Sequence, residues 1–203
     1  MRGRARLDDA GMTMIEMVVV LGIIAVLAAI LTPIVSNYID QSRLARAQSD
    51  VRVIGEAISR FESDMGRYPM FTNGSGNLPD SAADVVRLEG PGTTLTDTSG
   101  NTTNWVNGSV SDLLADQLLS NAPAYSQTSS LAKPFKWKGP YINPDSDPWG
   151  RKYVVNIANA KSTSPYACFV LSAGPDGIVQ TSFSIAENSS VSASGDDIIY
   201  RIK

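Results

Sequence analysis

Pairs of carboxylates are the side chains of this sequence that are best suited to acid–base chemistry. Two carboxyl groups on either side of a glycosidic bond can hydrolyse it, and the candidate pairs are Asp145 with Asp147 and Asp196 with Asp197. Adjacent aspartates on an extended chain point to opposite sides, however, and the first pair lies in a proline-containing turn. The sequence offers neither a nucleophile nor a phosphate-binding loop beside these pairs, so it predicts no enzymatic activity.

The amino-acid composition argues against most other kinds of catalytic site and metal site. The chain of 203 residues contains no histidine, the commonest general base and the commonest transition-metal ligand in proteins. Its single cysteine, Cys168, cannot form an internal disulfide and lies in an apolar run that predicts a buried, unreactive thiol. The net charge is −3 and no basic cluster follows the apolar N-terminal stretch, so the sequence predicts no nucleic-acid partner.

An apolar stretch near the N-terminus, residues 11–35, is long enough to cross a membrane. Residues 17–31 carry no charged or hydrogen-bonding side chain, and about 20 consecutive residues can face hydrocarbon, which is the length that a helix needs to span a bilayer. Glu16 lies at the N-terminal edge of this stretch. A carboxylate there is costly unless it is paired, so the stretch and its carboxylate must be explained together.

The helical pattern continues beyond the apolar stretch. Apolar residues recur at spacings of three and four, which is the period of one face of a helix. They are Leu44, Ala47, Val51, Ile54, Ile58, Phe61 and Met65. We therefore expect one helix from Met12 to Met65, kinked or loosened at Pro33 and ended by Gly66.

The start of the apolar stretch resembles the processing signal of the type IV pilin and type II secretion pseudopilin superfamily. The sequence G-M-T-M-I-E at 11–16, followed by the apolar run, is similar to the usual G-F-T-L-I-E, with methionine in place of phenylalanine. The resemblance implies that a prepilin peptidase cuts after Gly11 and methylates the new N-terminus at Met12. Glu16 is then the fifth residue of the mature chain.

Glu16 is the candidate assembly residue. In a growing filament, the natural partner of this carboxylate is the positive N-terminal amine of an adjacent subunit, and the pair would set the register between subunits. Pro33 is also assigned to assembly, because in filament-forming relatives this segment can partly unwind on packing. The alternative for Glu16 is a side chain that only extends to the lipid headgroups.

Three groups of motifs after the helix resemble those of the type II secretion major pseudopilins. They are R-Y-P at 67–69, then G-P-Y-I at 139–142 with D-P-W-G at 147–150, and finally S-x-G-P-D-G at 172–177 with D-D-I at 196–198. The last group implies a calcium ion held by Asp176, Asp196 and Asp197, and oxygen atoms are the ligands that Ca²⁺ prefers. About 20 residues separate Asp176 from Asp196, more than in the usual loop. The alternative is that these aspartates only form turns and caps.

The resemblance implies an α+β, pilin-like fold in which the long N-terminal helix packs on a small antiparallel β-sheet. The expected segments are a leader (1–11), a transmembrane or filament-core helix (12–35), its amphipathic continuation (36–66), a variable loop region with short helices (67–138) and a C-terminal β-sheet region (139–203). Within them, the local patterns predict short helices at 81–88 and 111–119, strands at 153–157 and 166–172, and a hairpin-like loop at 159–164.

The function that the resemblance implies is that of a structural subunit of the periplasmic pseudopilus of type II secretion. The implied partners are further copies of the chain, a prepilin peptidase, an inner-membrane assembly platform and minor pseudopilins or pilins. Before assembly, the helix would lie in the bacterial inner membrane with the C-terminal domain in the periplasm. A type IV pilin of surface filaments is the first alternative, although the single cysteine excludes the C-terminal disulfide loop that major pilins often carry. A membrane-anchored enzyme or binding domain is the remote alternative.

Overall fold

A computed structural model of the protein describes residues 12–72, 85–98, 102–106, 110–128 and 135–203. Its first element, helix α1, runs from Met14 to Met65 and includes Pro33. The helix ends where the sequence predicts, because Gly66 takes a left-handed conformation with φ of 68° and donates its N–H to the Glu62 carbonyl. The prediction of one long N-terminal helix is therefore confirmed.

The chain divides into two compact units within this helix, residues 1–42 and 43–203. In the first unit, every described residue is exposed, including the whole apolar run. In the second unit, the predicted apolar stripe of α1 is buried from Ala47 onward, and its members are at most 7% exposed. Leu44 is the exception, because it remains 41% exposed.

The second unit contains seven short strands in its described part. They are β1 (Arg87–Glu89), β2 (Thr96–Asp97), β3 (Ser111–Leu113), β4 (Val154–Val155), β5 (Phe169–Ser172), β6 (Ile178–Val179) and β7 (Ile198–Arg201). Five of them form one sheet in the order β3-β1-β4-β5-β7, and β2 pairs with β6 separately. The α+β layout is confirmed.

The main sheet is mixed, however, and not antiparallel as expected. Strand β4 pairs antiparallel with β1 and with β5, and β5 pairs antiparallel with β7. Strand β3 is parallel to β1, with Leu88 opposite Asp112. The reason is that the chain leaves β1, passes through β2 and the short helix α2 (Thr102–Trp105), and returns to the sheet edge in its original direction.

Two buried clusters lie on opposite faces of this sheet. Val155 and Val170 belong to the cluster that contains the stripe of α1, whereas their strand neighbours Val154 and Phe169 belong to the other cluster. Successive residues of a strand point to opposite faces, which accounts for the division. The second cluster contains Trp105, whose indole N–H donates to the Thr181 carbonyl at 2.9 Å.

Several local predictions are wrong or shortened. Ser111–Leu113 is a strand and not the start of a helix; the helical residues are 114–120, the last five forming a π-helical turn, Asp116–Ser120. The helix predicted at 81–88 is replaced by strand β1 at its end, and residues 81–84 lie outside the described residues. The strands predicted at 153–157 and 166–172 are shorter, and a 3₁₀ turn, Ile157–Ala160, occupies the start of the expected hairpin loop. For Arg87–Glu89 and Ser111–Leu113, pairing of the two distant strands with each other overrides the local helical pattern.

The C-terminal residues complete the sheet. After β7, Ile202 donates its N–H to the Cys168 carbonyl, and Lys203 accepts a bond from the Cys168 N–H. The ring of Tyr200 lies so close to Gly55 of α1 that a Cβ at that glycine would overlap it. Cys168 is fully buried beneath these contacts, and burial raises the pKa of its thiol to about 12, as expected for an unreactive cysteine.

Candidate functional site

The N-terminal half of α1 is the first candidate functional region. Among the described residues, α1 is the one helix that is long and apolar enough to cross a membrane, and none of the apolar window is buried within the protein. Met12, the predicted methylation site, is 70% exposed. Gly11, the predicted cleavage position, lies outside the described residues.

Glu16 is tied to the start of its own helix. Its Oε2 accepts bonds from the Thr13 N–H at 2.8 Å and from the Thr13 hydroxyl at 2.9 Å, and the Glu16 N–H donates to the Thr13 hydroxyl oxygen at 3.3 Å. This reciprocal pattern is a capping box, which satisfies N–H groups that a helix start leaves without partners. Sequence reasoning missed it, although the T-x-x-E spacing at 13–16 is its signature.

Pro33 lies in the interior of α1, and the helix continues on both sides of it. Proline has no N–H, so the Ala29 carbonyl has no donor four residues later. One residue before it, the Thr32 hydroxyl donates to the Ala28 carbonyl at 2.7 Å. At Pro33 the helix therefore has one backbone hydrogen bond fewer than in the turns on either side.

The D-P-W-G and S-x-G-P-D-G motifs are joined by hydrogen bonds. Asp147 of D-P-W-G is buried, and its Oδ1 accepts N–H bonds from Trp149 at 3.0 Å and Arg151 at 2.7 Å. Its Oδ2 accepts the hydroxyl of Ser172, the first residue of S-x-G-P-D-G, at 3.1 Å. Asp147 is thus committed to structure, and the candidate acid–base pair with Asp145 gains no support.

Two further side chains hold motifs of the second unit in place. Arg151 donates from Nη1 to the carbonyls of Gly174 at 2.7 Å and Pro175 at 3.0 Å, which holds the S-x-G-P-D-G turn against D-P-W-G. Tyr141 of G-P-Y-I donates its hydroxyl to Asp64 near the end of α1 at 3.2 Å. Sequence reasoning assigned no role to Arg151, although it directly follows D-P-W-G.

The three predicted calcium ligands lie in one loop. The N–H of Asp176 donates to Asp196 Oδ2 at 3.1 Å, so the long intervening segment does return to the turn. Asp197 Oδ2 accepts two backbone bonds, from Gln180 at 2.9 Å and from Thr181 at 2.6 Å. The segment makes no hairpin of its own, because Ile178–Val179 pairs in parallel with Thr96–Asp97.

Two carboxylate oxygens in this loop have no hydrogen-bond partner although they are buried, Asp196 Oδ1 and Asp197 Oδ1. Burial raises the pKa of Asp197 above its ordinary value; the bonds from Thr181 and Gln180 act in the opposite direction but do not outweigh burial. In the part of the chain that the structure describes, no three His, Cys, Asp or Glu side chains are grouped as a metal site would require. Asp196 and Asp197 thus each offer one buried oxygen that a cation could bind, and the three-aspartate calcium site stays a prediction.

These two aspartates face an open groove of about 640 Å³. Its other lining residues are Leu44, Gln48, Pro175, Ala193, Ile198 and Ile199. The groove gives solvent a route to the two aspartates.

Comparison with known proteins gives two matches. Residues 6–32 match the family model described as the prokaryotic N-terminal methylation motif. The chain is 33% identical over 69 residues to the Type II secretion system core protein G of Pseudomonas aeruginosa, a match that covers 34% of this chain. The chain thus spans about half the length of this curated relative, 49%. No solved structure matches the chain.

Proposed function

We propose that this chain, a member of the pilin and pseudopilin family, is a structural subunit of the periplasmic pseudopilus of a type II secretion system. Cleavage behind Gly11 and N-methylation of Met12 precede its polymerisation. The observation that carries the proposal is the N-terminal unit, in which a methylation motif leads into an apolar helix surface that is wholly exposed. The similarity to a core protein of type II secretion favours a pseudopilus over a type IV pilus.

The exposed apolar helix explains where the chain lies before and after assembly. Before assembly, residues 12–35 lie in the inner membrane and the second unit lies in the periplasm, an orientation that the basic residues Arg2, Arg4 and Arg6 support. In the filament, the helices of neighbouring copies replace lipid around this surface, and close packing compensates for leaving the bilayer. The further partners are a prepilin peptidase, an inner-membrane assembly platform and minor pseudopilins.

Glu16 provides the pairing between copies. Both bonds from Thr13 end on Oε2, so Oε1 can accept a bond from the N-terminal amine of an adjacent subunit. Such a charge-assisted bond is about twice as strong as a neutral one. The capping box therefore holds the carboxylate in place for its partner.

We also propose that Asp196 and Asp197 bind calcium, with Asp176 beside them. Their two buried, unpartnered oxygens support the proposal, because Ca²⁺ supplies positive charge to several oxygens at once. Titration of the full chain in detergent micelles with CaCl₂ should give binding heat, and Asp197→Asn should remove it. The control Asp112→Asn changes an aspartate that lies outside the loop, and it should leave the heat unchanged. Absence of heat with the unaltered chain would remove the site.

The experiment for the main proposal is expression of the full chain with and without a prepilin peptidase, followed by imaging of sheared filaments. We expect filaments only with the peptidase, and mass spectrometry should show a methylated Met12 at the new N-terminus. Gly11→Val should abolish both, whereas Gly3→Val, the same change inside the leader, should abolish neither. Filaments built from uncleaved chains would contradict the proposal.

A further inference from the structure

The segment between Asp176 and Asp196 contains a residue that bonds to both of these aspartates. Gln180 donates from Nε2 to Asp176 Oδ2 at 3.0 Å, and its Oε1 accepts the N–H of Asp196 at 3.4 Å. One amide therefore connects the turn that begins the loop with the turn that ends it. An ionised carboxylate at position 180 could not make both bonds, because it cannot donate a hydrogen bond to the Asp176 carboxylate.

The backbone at the same position holds the third aspartate. The N–H groups of Gln180 and Thr181 both donate to Asp197 Oδ2, and the Thr181 hydroxyl accepts the N–H of Ser194. Gly195 takes a φ of 64° beside the Gln180 amide, and a Cβ there would overlap Gln180 Oε1. The positive φ thus favours glycine at 195.

These contacts do by hydrogen bonding part of what a bound cation would do. A cation joins carboxylates from separate turns by supplying positive charge between them. Here N–H groups donate to one oxygen of Asp196, one of Asp197 and both of Asp176, whose Oδ1 accepts the Ile178 N–H at 2.7 Å. Asp196 Oδ1 and Asp197 Oδ1 alone remain without partners among the oxygens of these three aspartates.

We propose that Gln180 is the residue that closes the Asp176–Asp197 loop, so that this loop keeps its shape without a metal ion. A cation is then an addition at the two free oxygens and not the element that holds the turns together. The closure is specific to the amide, because it needs a donor toward Asp176 and an acceptor toward Asp196 in the same side chain. The proposal does not depend on assembly into a filament.

Gln180→Glu is the sharpest test, because it keeps the size of the side chain and replaces the donor with an oxygen. In the full chain, in detergent micelles at neutral pH with EGTA, we expect Tm to fall by about 4–8 °C, since a charge-assisted bond becomes a repulsion between carboxylates. Gln180→Ala should lower Tm less, because it removes the bonds without adding charge. Gln127→Glu, the same change at an exposed glutamine, should leave Tm unchanged.

The response of Tm to calcium distinguishes this proposal from a general structural role of Gln180. Gln180→Glu adds a further carboxylate to the loop that holds the three aspartates, so CaCl₂ should restore most of its Tm and leave Gln180→Ala low. The unaltered chain should keep slow hydrogen exchange in residues 172–197 in EGTA, and CaCl₂ should raise its Tm only by the amount that binding to the folded state adds. Hydrogen exchange should locate the loosening of Gln180→Glu in residues 172–197.

Two results would overturn the proposal. The first is a Gln180→Glu chain that melts in EGTA at the same temperature as Gln127→Glu and shows no faster exchange in the loop. The second is an unaltered chain whose residues 172–197 exchange as fast in EGTA as those of Gln180→Glu, since the loop would then depend on the cation. If calcium affects none of the chains but Gln180→Glu still melts early, the closure by Gln180 stands and the proposed calcium site fails.

Discussion

The two units of this chain use apolar residues in opposite ways. Residues 12–42 are exposed without exception, although most of them are apolar, whereas residues 43–203 bury two clusters on the two faces of one sheet. The second unit buries its apolar side chains against one another. The first needs lipid or other subunits to cover it, so a strongly apolar composition does not by itself specify an internal core.

The largest effect should come from removing the charge of Glu16, which tests whether the first unit acts through other subunits. Glu16→Leu should abolish or disorder filaments while membrane insertion and the unfolding of the second unit stay unchanged. The reason is that, in the proposed filament, the carboxylate pairs between copies, whereas it belongs to neither buried cluster of the second unit. Filament yield in sheared fractions measures the effect.

Glu16→Gln separates the charge from the helix cap. Glutamine can complete a capping box as glutamate does, so this variant keeps the Thr13 contacts and loses only the charge. We expect it to fail in assembly like Glu16→Leu. Normal filaments from Glu16→Gln would show that Thr13 capping, and not charge pairing, is the role of this residue.

The second prediction tests whether the second unit is stabilised from within. Phe61 is fully buried and its ring contacts Tyr125 and Tyr141 edge to face, at centroid distances of 5.0 and 5.5 Å. Phe61→Ala should lower the free energy of unfolding by about 3–5 kcal/mol, measured by denaturant titration of the full chain in micelles. Val53→Ala, at an exposed position of the same helix, should cost less than about 0.5 kcal/mol. Equal losses would contradict this picture of the core.

The smallest predicted effect concerns a charged cluster at the sheet. Glu89 bonds to Arg87 and Lys152, both at 2.6 Å; burial alone would raise the pKa of Glu89, but these two partners lower it below its ordinary value of 4.5. Ionised Glu89 therefore stabilises the folded protein fully above about pH 4.5. This stabilisation is lost as the pH falls through the lower pKa that Glu89 has in the folded state.

Glu89→Gln should lower the free energy of unfolding at pH 7 by about 1–3 kcal/mol, because Arg87 loses a charged partner while buried. The difference from the unaltered chain should shrink when the pH is lowered below that range, as unfolding curves at several pH values will measure. A difference that stays constant with pH would show that packing, and not charge, is responsible.

Sequence reasoning succeeded where a property depends on neighbouring residues. The stripe of α1 and its end at Gly66 both follow from spacing within one helix, whereas the assembly role of Glu16 stays a prediction. It failed where distant segments meet: Ser111–Leu113 reads as a helix start but pairs with β1, and Thr96–Asp97 pairs with Ile178–Val179 across about 80 residues. Gln180 was missed for the same reason, since its partners become visible only when both ends of the loop are placed together.

Strand β7 has a consequence for how the second unit can fail. This strand and the two residues after it supply the sheet edge beside β5, and Tyr200 fills the space at Gly55. If β7 detached, β5 would present unpaired backbone groups along its edge. An open sheet edge of this kind is a known starting point for aggregation.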